Sequence, residues 1–318
     1  MTRSAITKLV ALSISAASAC TSFADVEIND NLSLYGYVTA TASNSGEDYT
    51  GGGSSDTGLL EVDSMKVQLT GTFDDTVGVV SLHAFSDYEP VFLDMYATYS
   101  LDDESSLTFG KFLSYHGYEA FDWPNMLQIS YSNDLAGFIP AYHSGVRYDY
   151  AGENGFSAGV AVLDSVYGPT YYEGDHDLGD IGFEGFIKYS TDTTNVYLGL
   201  AEDGDTDTTM FDFWADITFG NTLVAVEYMT ADSGGLDASF WSILAMPDFG
   251  AFTTTFRLSA GEDDTVALGA EFTKYTVSPG MAITDNLFFL AEYSYTDFEN
   301  NGGVESASYL AAQIVFTF

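Results

Sequence analysis

Cysteine is almost missing from this 318-residue chain, which has one, Cys20. Disulfides therefore cannot hold the fold together; backbone hydrogen bonding and packing must do so. Basic residues are scarce too. Eight Lys and Arg stand against 47 Asp and Glu, a formal net charge of −39. Nucleic acid is excluded as a partner, because its phosphates need Lys and Arg. Proline is thin, at 6 residues. After the first two dozen positions no run of 18 apolar residues occurs, which excludes a transmembrane helix. The histidines, His83, His116, His143 and His176, are spread along the chain without metal-ligand spacing, so no metal and no cofactor is expected. What is present are 22 Tyr and 24 Phe in a chain that is 46% hydrophobic. That composition excludes an acidic disordered chain.

The N-terminus reads as a signal peptide over 1–24. Arg3 and Lys8 form a basic n-region, residues 9–19 are apolar and small, and Ser22-Phe23-Ala24 offers small residues at the cleavage positions. The competing reading is a lipoprotein site at Cys20, but Ala17 stands where that site takes a large aliphatic residue. Cleavage after Ala24 leaves one domain over 25–318 with no cysteine. Its six basic residues face 47 acidic ones, a net charge of −41.

From there the period is two. In "MFDFWADITFG" Phe211, Phe213, Ala215, Ile217 and Phe219 share one face, and Asp212, Trp214, Asp216 and Thr218 the other. "LVAVEYMT" sets Val224, Val226 and Tyr228 against Ala225, Glu227 and Met229, and "IGFEGFIKYS" sets Phe183, Ile187 and Tyr189 against Glu184 and Lys188. "VFLDMYATYSL" sets Leu93, Met95, Ala97, Tyr99 and Leu101 against Asp94, Tyr96 and Thr98. The pattern predicts sixteen strands, with fourteen or eighteen as the alternatives. They fall at 32–43, 58–73, 77–87, 91–101, 106–113, 141–151, 156–165, 181–190, 195–201, 210–219, 222–230, 238–246, 250–260, 265–283, 287–296 and 307–318.

Every second connection is a short Asp/Asn/Gly turn, such as "DDT" at 74–76, "GENG" at 152–155 and "GN" at 220–221. The others are mostly long and acidic: 44–57, 114–140, 166–180, 202–209, 231–237 and 297–306. Alternating short and long connections, with an apolar face that can meet lipid and a polar face that can meet water, predict an all-β, transmembrane, antiparallel up-and-down β-barrel. A soluble sandwich has no reason to segregate its loops in this way.

The last strand, "YLAAQIVFTF", is apolar at every second position and ends in Phe316-Thr317-Phe318. This resembles the terminal strand of bacterial outer-membrane barrels, in which Phe316 and Phe318 would be read by the barrel-assembly machinery. The order "EINDNLSLYGYVTATAS", "LTFGKFLSYHGYEAFDWPN", "IPAYHSGVRYDY" and "TVSPGMAITDNLFFLAEYSY" is similar to the β-barrel porins of the OmpL-like family over essentially the whole mature chain. The most specific piece is Gly110-Lys111-Phe112 leading into Tyr118-Glu119 and Pro124-Asn125. The resemblance implies a Gram-negative outer-membrane porin: a water-filled channel for passive diffusion of small hydrophilic solutes and ions. Outer-membrane lipids and lipopolysaccharide would surround it, as a monomer or homotrimer. The alternatives are a structural or adhesin barrel with a closed lumen, or an outer-membrane lipid hydrolase. Against the last, adjacent His143 and Ser144 face opposite ways in a strand, and no Gly-x-Ser-x-Gly elbow occurs.

By alternation Lys66, Arg147, Lys188 and Arg257 point inward, with Asp94, Glu184, Asp212, Asp216, Glu227 and Glu271 as lumen carboxylates. Lys111 and Lys274 have no clear phase; Lys274 shares parity with Phe272, which would put it outward unless a bulge intervenes. The acid excess predicts preference for cations. "EDGDTD" at 202–207 and "GDHDLGD" at 174–180 carry the ligand type for weak divalent binding but lack the closing Glu of an EF-hand.

Residues 114–140 break the alternation with Tyr118, Phe121, Trp123, Met126, Leu127, Ile129 and Tyr131 beside Glu119, Asp122 and Asp134. The expectation is an inward-folded third external loop that narrows the pore. Tyr118, Glu119, Asp122, Trp123, Asn125, Tyr131 and Asp134 would form the constriction, with Asn125 capping a short helix over 126–131.

Overall fold

A sheet with one polar and one apolar face, and no helix to cover its edges, hides its unpaired backbone groups by closing on itself. The computed structural model describes residues 25–318 apart from 87, 120, 134–138, 168–180, 205, 233–236 and 265–269. The proposed signal segment, Asp134 and the 174–180 run lie outside the described residues. The strands are β1 (Val26–Asn29), β2 (Leu32–Tyr49), β3 (Ser54–Phe73), β4 (Thr76–Phe85), β5 (Tyr88–Ser100), β6 (Ser105–Leu113), β7 (Tyr142–Ala151), β8 (Phe156–Leu163), β9 (Gly182–Ser190), β10 (Thr194–Asp203), β11 (Thr208–Phe219), β12 (Thr222–Asp232), β13 (Asp237–Pro247), β14 (Thr253–Asp263), β15 (Ala270–Thr284), β16 (Leu287–Asn301) and β17 (Val304–Thr317). β2 to β17 form a closed, antiparallel, sixteen-stranded barrel, each strand paired with its neighbour in sequence. No helix among the described residues is long and apolar enough to cross a membrane.

β17 closes the ring on β2, from Val304↔Tyr49 to Thr317↔Tyr37. The terminal Phe318 completes the seam: Gly36 N–H donates to its carbonyl at 2.8 Å, and its own N–H donates to Gly36 O at 2.9 Å. The absent side chain of Gly36 makes room, because a Cβ there would lie 2.5 Å from Phe318 Cζ. The extra strand β1 pairs with β2 at Val26↔Leu34 and Glu27↔Ser33. β3 holds the other edge of β2 at that level (Leu32↔Gly71), so β1 continues the line of β17 beyond Phe318.

The outer face is apolar on every side. Phe109, Val146, Val160, Ile187, Leu200, Ile217, Phe256, Tyr275, Tyr293 and Leu310 are all exposed there, as a lipid-facing surface requires. Short turns are closed by their acidic residues. Asp102 Oδ1 accepts the N–H groups of Glu104 (2.9 Å) and Ser105 (2.8 Å), which holds its carboxyl below the usual range.

The strands are longer than the alternation predicts at the end with the long connections. Most of 44–57 and 297–306 is hairpin rather than loop, and the strand expected over 265–283 is described over Ala270–Thr284. Apolar residues mark only the part in lipid, while the ladder continues into water where polar residues carry it.

Three placements differ from expectation. Leu93 is fully buried instead of facing lipid. The register moves from Val80↔Met95 to Leu82↔Phe92, so Ser81 opposes both Leu93 and Asp94 in a bulge that turns Leu93 inward. Lys274 is also buried, with Phe272 beside it, while Glu271 is exposed on the outside. The interior is not wholly polar: Phe112, Leu163, Met210, Met229, Phe240 and Phe272 form an apolar cluster at the long-connection end. An inward Phe carries its parity partner Lys274 inward with it.

Candidate functional site: the loop across the lumen

Residues 114–119 and 121–133 follow β6 and run through the barrel interior. Gly110 lies where β6 parts from β5, just before the loop. Its φ is 124°, and a Cβ there would meet Met95 O at 2.2 Å, so only glycine lets β6 twist at this point. The apolar part of the loop buries itself against the wall: Tyr118 and Leu127 pack with Tyr197, Trp214, Leu223, Ala225, Leu244 and Met246. Tyr197 and Trp214 stack at 4.9 Å, and Tyr118 meets Trp214 edge-on at 5.3 Å. Lys188 sits over the Trp214 ring at 5.3 Å.

The loop's polar groups reach three sectors of the wall. On β9 to β12, Glu184 accepts Ser114 Oγ (2.7 Å), Asp212 accepts Gly117 N–H (2.9 Å) and Glu227 accepts Tyr118 N–H (2.6 Å). Asp216, on the same wall, accepts Asn195 Nδ2 at 2.8 Å. On β3 and β5, Lys66 Nζ bridges Asp122 (2.6 Å) and Asp94 (3.2 Å). On β14 to β16, Arg257 bonds Glu119, the carbonyls of Ser130 and Tyr131 (2.9 Å each) and Thr276 Oγ1 (3.2 Å). Lys274 donates to Tyr131 O at 2.9 Å, and Glu292 accepts Ile129 N–H at 2.6 Å and Ser130 N–H at 3.1 Å. These sectors lie on different sides of the ring, so the loop is strung across the lumen rather than laid along one wall.

Most of the charged residues singled out from sequence are brought together here. Lys66, Asp94, Glu184, Asp212, Glu227 and Arg257 all face inward, and all but Asp94 bond the loop directly. Arg147 instead pairs with Asp149 (3.2 Å) and lies over the rings of Phe112 (4.7 Å) and Tyr115 (5.3 Å). Lys111 is buried. Glu271 drops out of the set, and Glu292, Lys274, Ser114, His116 and His143 join it. Glu292 was legible, since it alternates with the outward Tyr293. The histidines carry no spacing signal.

The helix expected over 126–131 does not form. A single 3-10 turn covers Trp123–Asn125, with Asp122 at the N-cap position and Met126 already extended. Pro124 fits that first turn, and the N–H groups of Ile129 and Ser130 go to Glu292 rather than to a helix. Trp123 and Tyr131 stay half open to water, their rings 6.5 Å apart. Of the acidic run at 202–207, Asp203 is buried and accepts Ser165 Oγ (2.7 Å) and Tyr167 N–H (2.8 Å). Its carboxylate holds the neighbouring connection. Among the described residues no group of His, Cys, Asp or Glu is arranged to hold a metal ion.

The family model for beta-barrel porin-2, OmpL-like proteins matches residues 62–318. No curated protein sequence matches the chain. Among solved structures the fold is similar to an anion-selective porin from Comamonas acidovorans, at TM-score 0.66 and 11% identity, over 90% of this chain and 99% of that one. It is similar to Salmonella typhi OmpF in complex with daunomycin, at TM-score 0.64 and 12% identity, over 93% and 100%. It is also similar to the trimer form of in-vitro-folded Vibrio cholerae OmpT, at TM-score 0.59 and 11% identity, over 90% and 99%.

Proposed function

Because the chain belongs to the OmpL-like beta-barrel porin-2 family, and is an outer-membrane barrel of porin type, we propose that it forms a water-filled channel for passive diffusion. Its cargo is small hydrophilic solutes and ions, and residues 114–140 are its constriction. The observation that carries this reading is the tethering of the loop to three sectors of the inner wall, which leaves solutes only the gaps around it. A signal peptide over 1–24 exports the chain, and the seam at Phe316 and Phe318 serves as its insertion signal. In the outer membrane it meets lipopolysaccharide as a monomer or a homotrimer.

Cations pass preferentially. Inward carboxylates outnumber inward cations, and Lys66, Arg147 and Arg257 are each neutralised by an acid within 3.2 Å or closer. The remaining inward carboxylates set the sign of the field: Glu292, and, when the imidazoles beside them are neutral, Glu184 and Asp212. A hydrolase is disfavoured by the order of groups at Glu184. The carboxylate, not an imidazole, takes the bond from Ser114 Oγ, so the hydroxyl–imidazole–carboxylate order of a hydrolase triad is not formed there.

Planar-bilayer recordings test the proposal. Stable single-channel conductance with a cation-selective reversal potential is expected, and deletion of 118–133 should raise conductance and solute cut-off. A folded barrel that conducts nothing would overturn the channel reading. Anion preference would overturn the charge argument, and a deletion without effect would overturn the constriction.

A further inference from the structure

The first residues of the loop run past three buried carboxylates, and two histidines stand among them. His143 Nε2 lies 3.1 Å from Glu184 Oε1. His116 sits between Glu184 and Asp212, 3.9 Å and 3.6 Å away, and neither of its ring nitrogens makes a hydrogen bond. Its seat is built for an imidazole: a Cβ on Gly199 of β10 would lie 2.6 Å from His116 Cε1. The same carboxylates hold the loop through Ser114 Oγ and the N–H groups of Gly117 and, at Glu227, Tyr118.

The other groups around the pair do not neutralise these acids. On β10 the Tyr197 ring lies edge-on to His116, with its hydroxyl on Tyr115 O at 2.9 Å. On β6 Phe112 lies edge-on to His143, whose Nδ1 is 3.4 Å from Val166 O. On β7 Arg147 is paired with Asp149, which also accepts the Tyr115 hydroxyl at 2.6 Å. The two imidazoles are thus the groups in direct contact with Glu184 and Asp212 that can carry positive charge.

We propose that His116 and His143 form a proton-operated latch for the near end of the loop, a device that rests on reading the loop as the channel's constriction. With both imidazoles protonated, Glu184 and Asp212 are neutralised and residues 114–118 stay against β9 to β12. Loss of the protons leaves Glu184 and Asp212 as uncompensated like charges on one buried patch, and this end of the loop lifts. The far end stays down, because Arg257 and Lys274 hold it through the carbonyls of Ser130 and Tyr131, with no imidazole in those bonds.

Two readouts test the latch between pH 5 and pH 8.5. The first is single-channel conductance. The second is the rate at which a water-soluble maleimide labels Ala225→Cys, introduced in a Cys20→Ser background, since Ala225 is buried in the cluster into which Tyr118 packs. Conductance should rise about twofold and labelling about tenfold as the pH is raised across this range. In the His116→Gln/His143→Gln pair both profiles should be flat, with folding checked by heat-modifiable gel migration. Gly199→Ala, which displaces His116 without removing charge, should shift the midpoint or flatten the profile. Unchanged pH dependence in the His pair, or pH-independent labelling in the parent, overturns the latch. If labelling responds to pH while no conductance appears at any pH, the latch stands and the channel reading falls.

Discussion

Arg257→Met removes the most heavily used anchor of the loop. The guanidinium is fully buried and bonds Glu119, two loop carbonyls and Thr276. Its loss strands the Glu119 carboxylate, whose side chain is only 8% exposed. Breaking one partner of a buried pair costs about 3–5 kcal/mol. Glu119 keeps the Ser132 N–H at 2.7 Å and the Gln128 amide, which argues for the lower end. At about 1.4 kcal/mol per tenfold change, about 3 kcal/mol shifts the docked-to-lifted ratio of this end of the loop by more than about 100-fold. The barrel itself should fold, because the β14 backbone ladder does not depend on the side chain. The assay is single-channel recording: Arg257→Met should show larger and noisier currents than the parent. Adding Glu119→Gln should restore part of the quiet state, because the stranded charge is gone. A folded Arg257→Met barrel with parental conductance and noise would refute the reasoning.

The remaining predictions concern the seam, the field and the aromatic stack. Gly36→Val should slow barrel closure and lower the temperature of heat-modifiable unfolding, since its side chain would displace Phe318 and press on Lys66 O, 2.6 Å from the Cβ position. Glu292→Gln should reduce cation preference in reversal-potential measurements and loosen the loop at Ile129 and Ser130, visible as added current noise. Trp214→Ala takes away the surface on which Tyr197 and Tyr118 pack. By the usual cost of a large-to-small core change, about 3–5 kcal/mol, it should release the loop while leaving the barrel assembled, measured as raised conductance with unchanged gel migration.

The barrel was legible because its rule is local. Side chains alternate across a strand whatever lies far away in the chain, so Phe211 and Asp212 separate in sequence as they do in space. Alternation failed where a register change intervened, at Leu93, and where the interior was apolar, at Phe272 and Lys274. The expected helix after Asn125 failed because Glu292 offered its carboxylate to the same N–H groups.

The sequence by itself determined a closed antiparallel barrel, the sign of its charge, and the identity of the segment that departs from the wall. Only the tertiary structure decided where that segment goes. Its anchors join residues distant in the chain, 138 positions apart for Arg257 and Glu119 and 163 for Ile129 and Glu292. No periodicity spans such separations. Those contacts exist because closing the ring brings opposite walls within reach of one loop, and there buried donors and carboxylates must find one another.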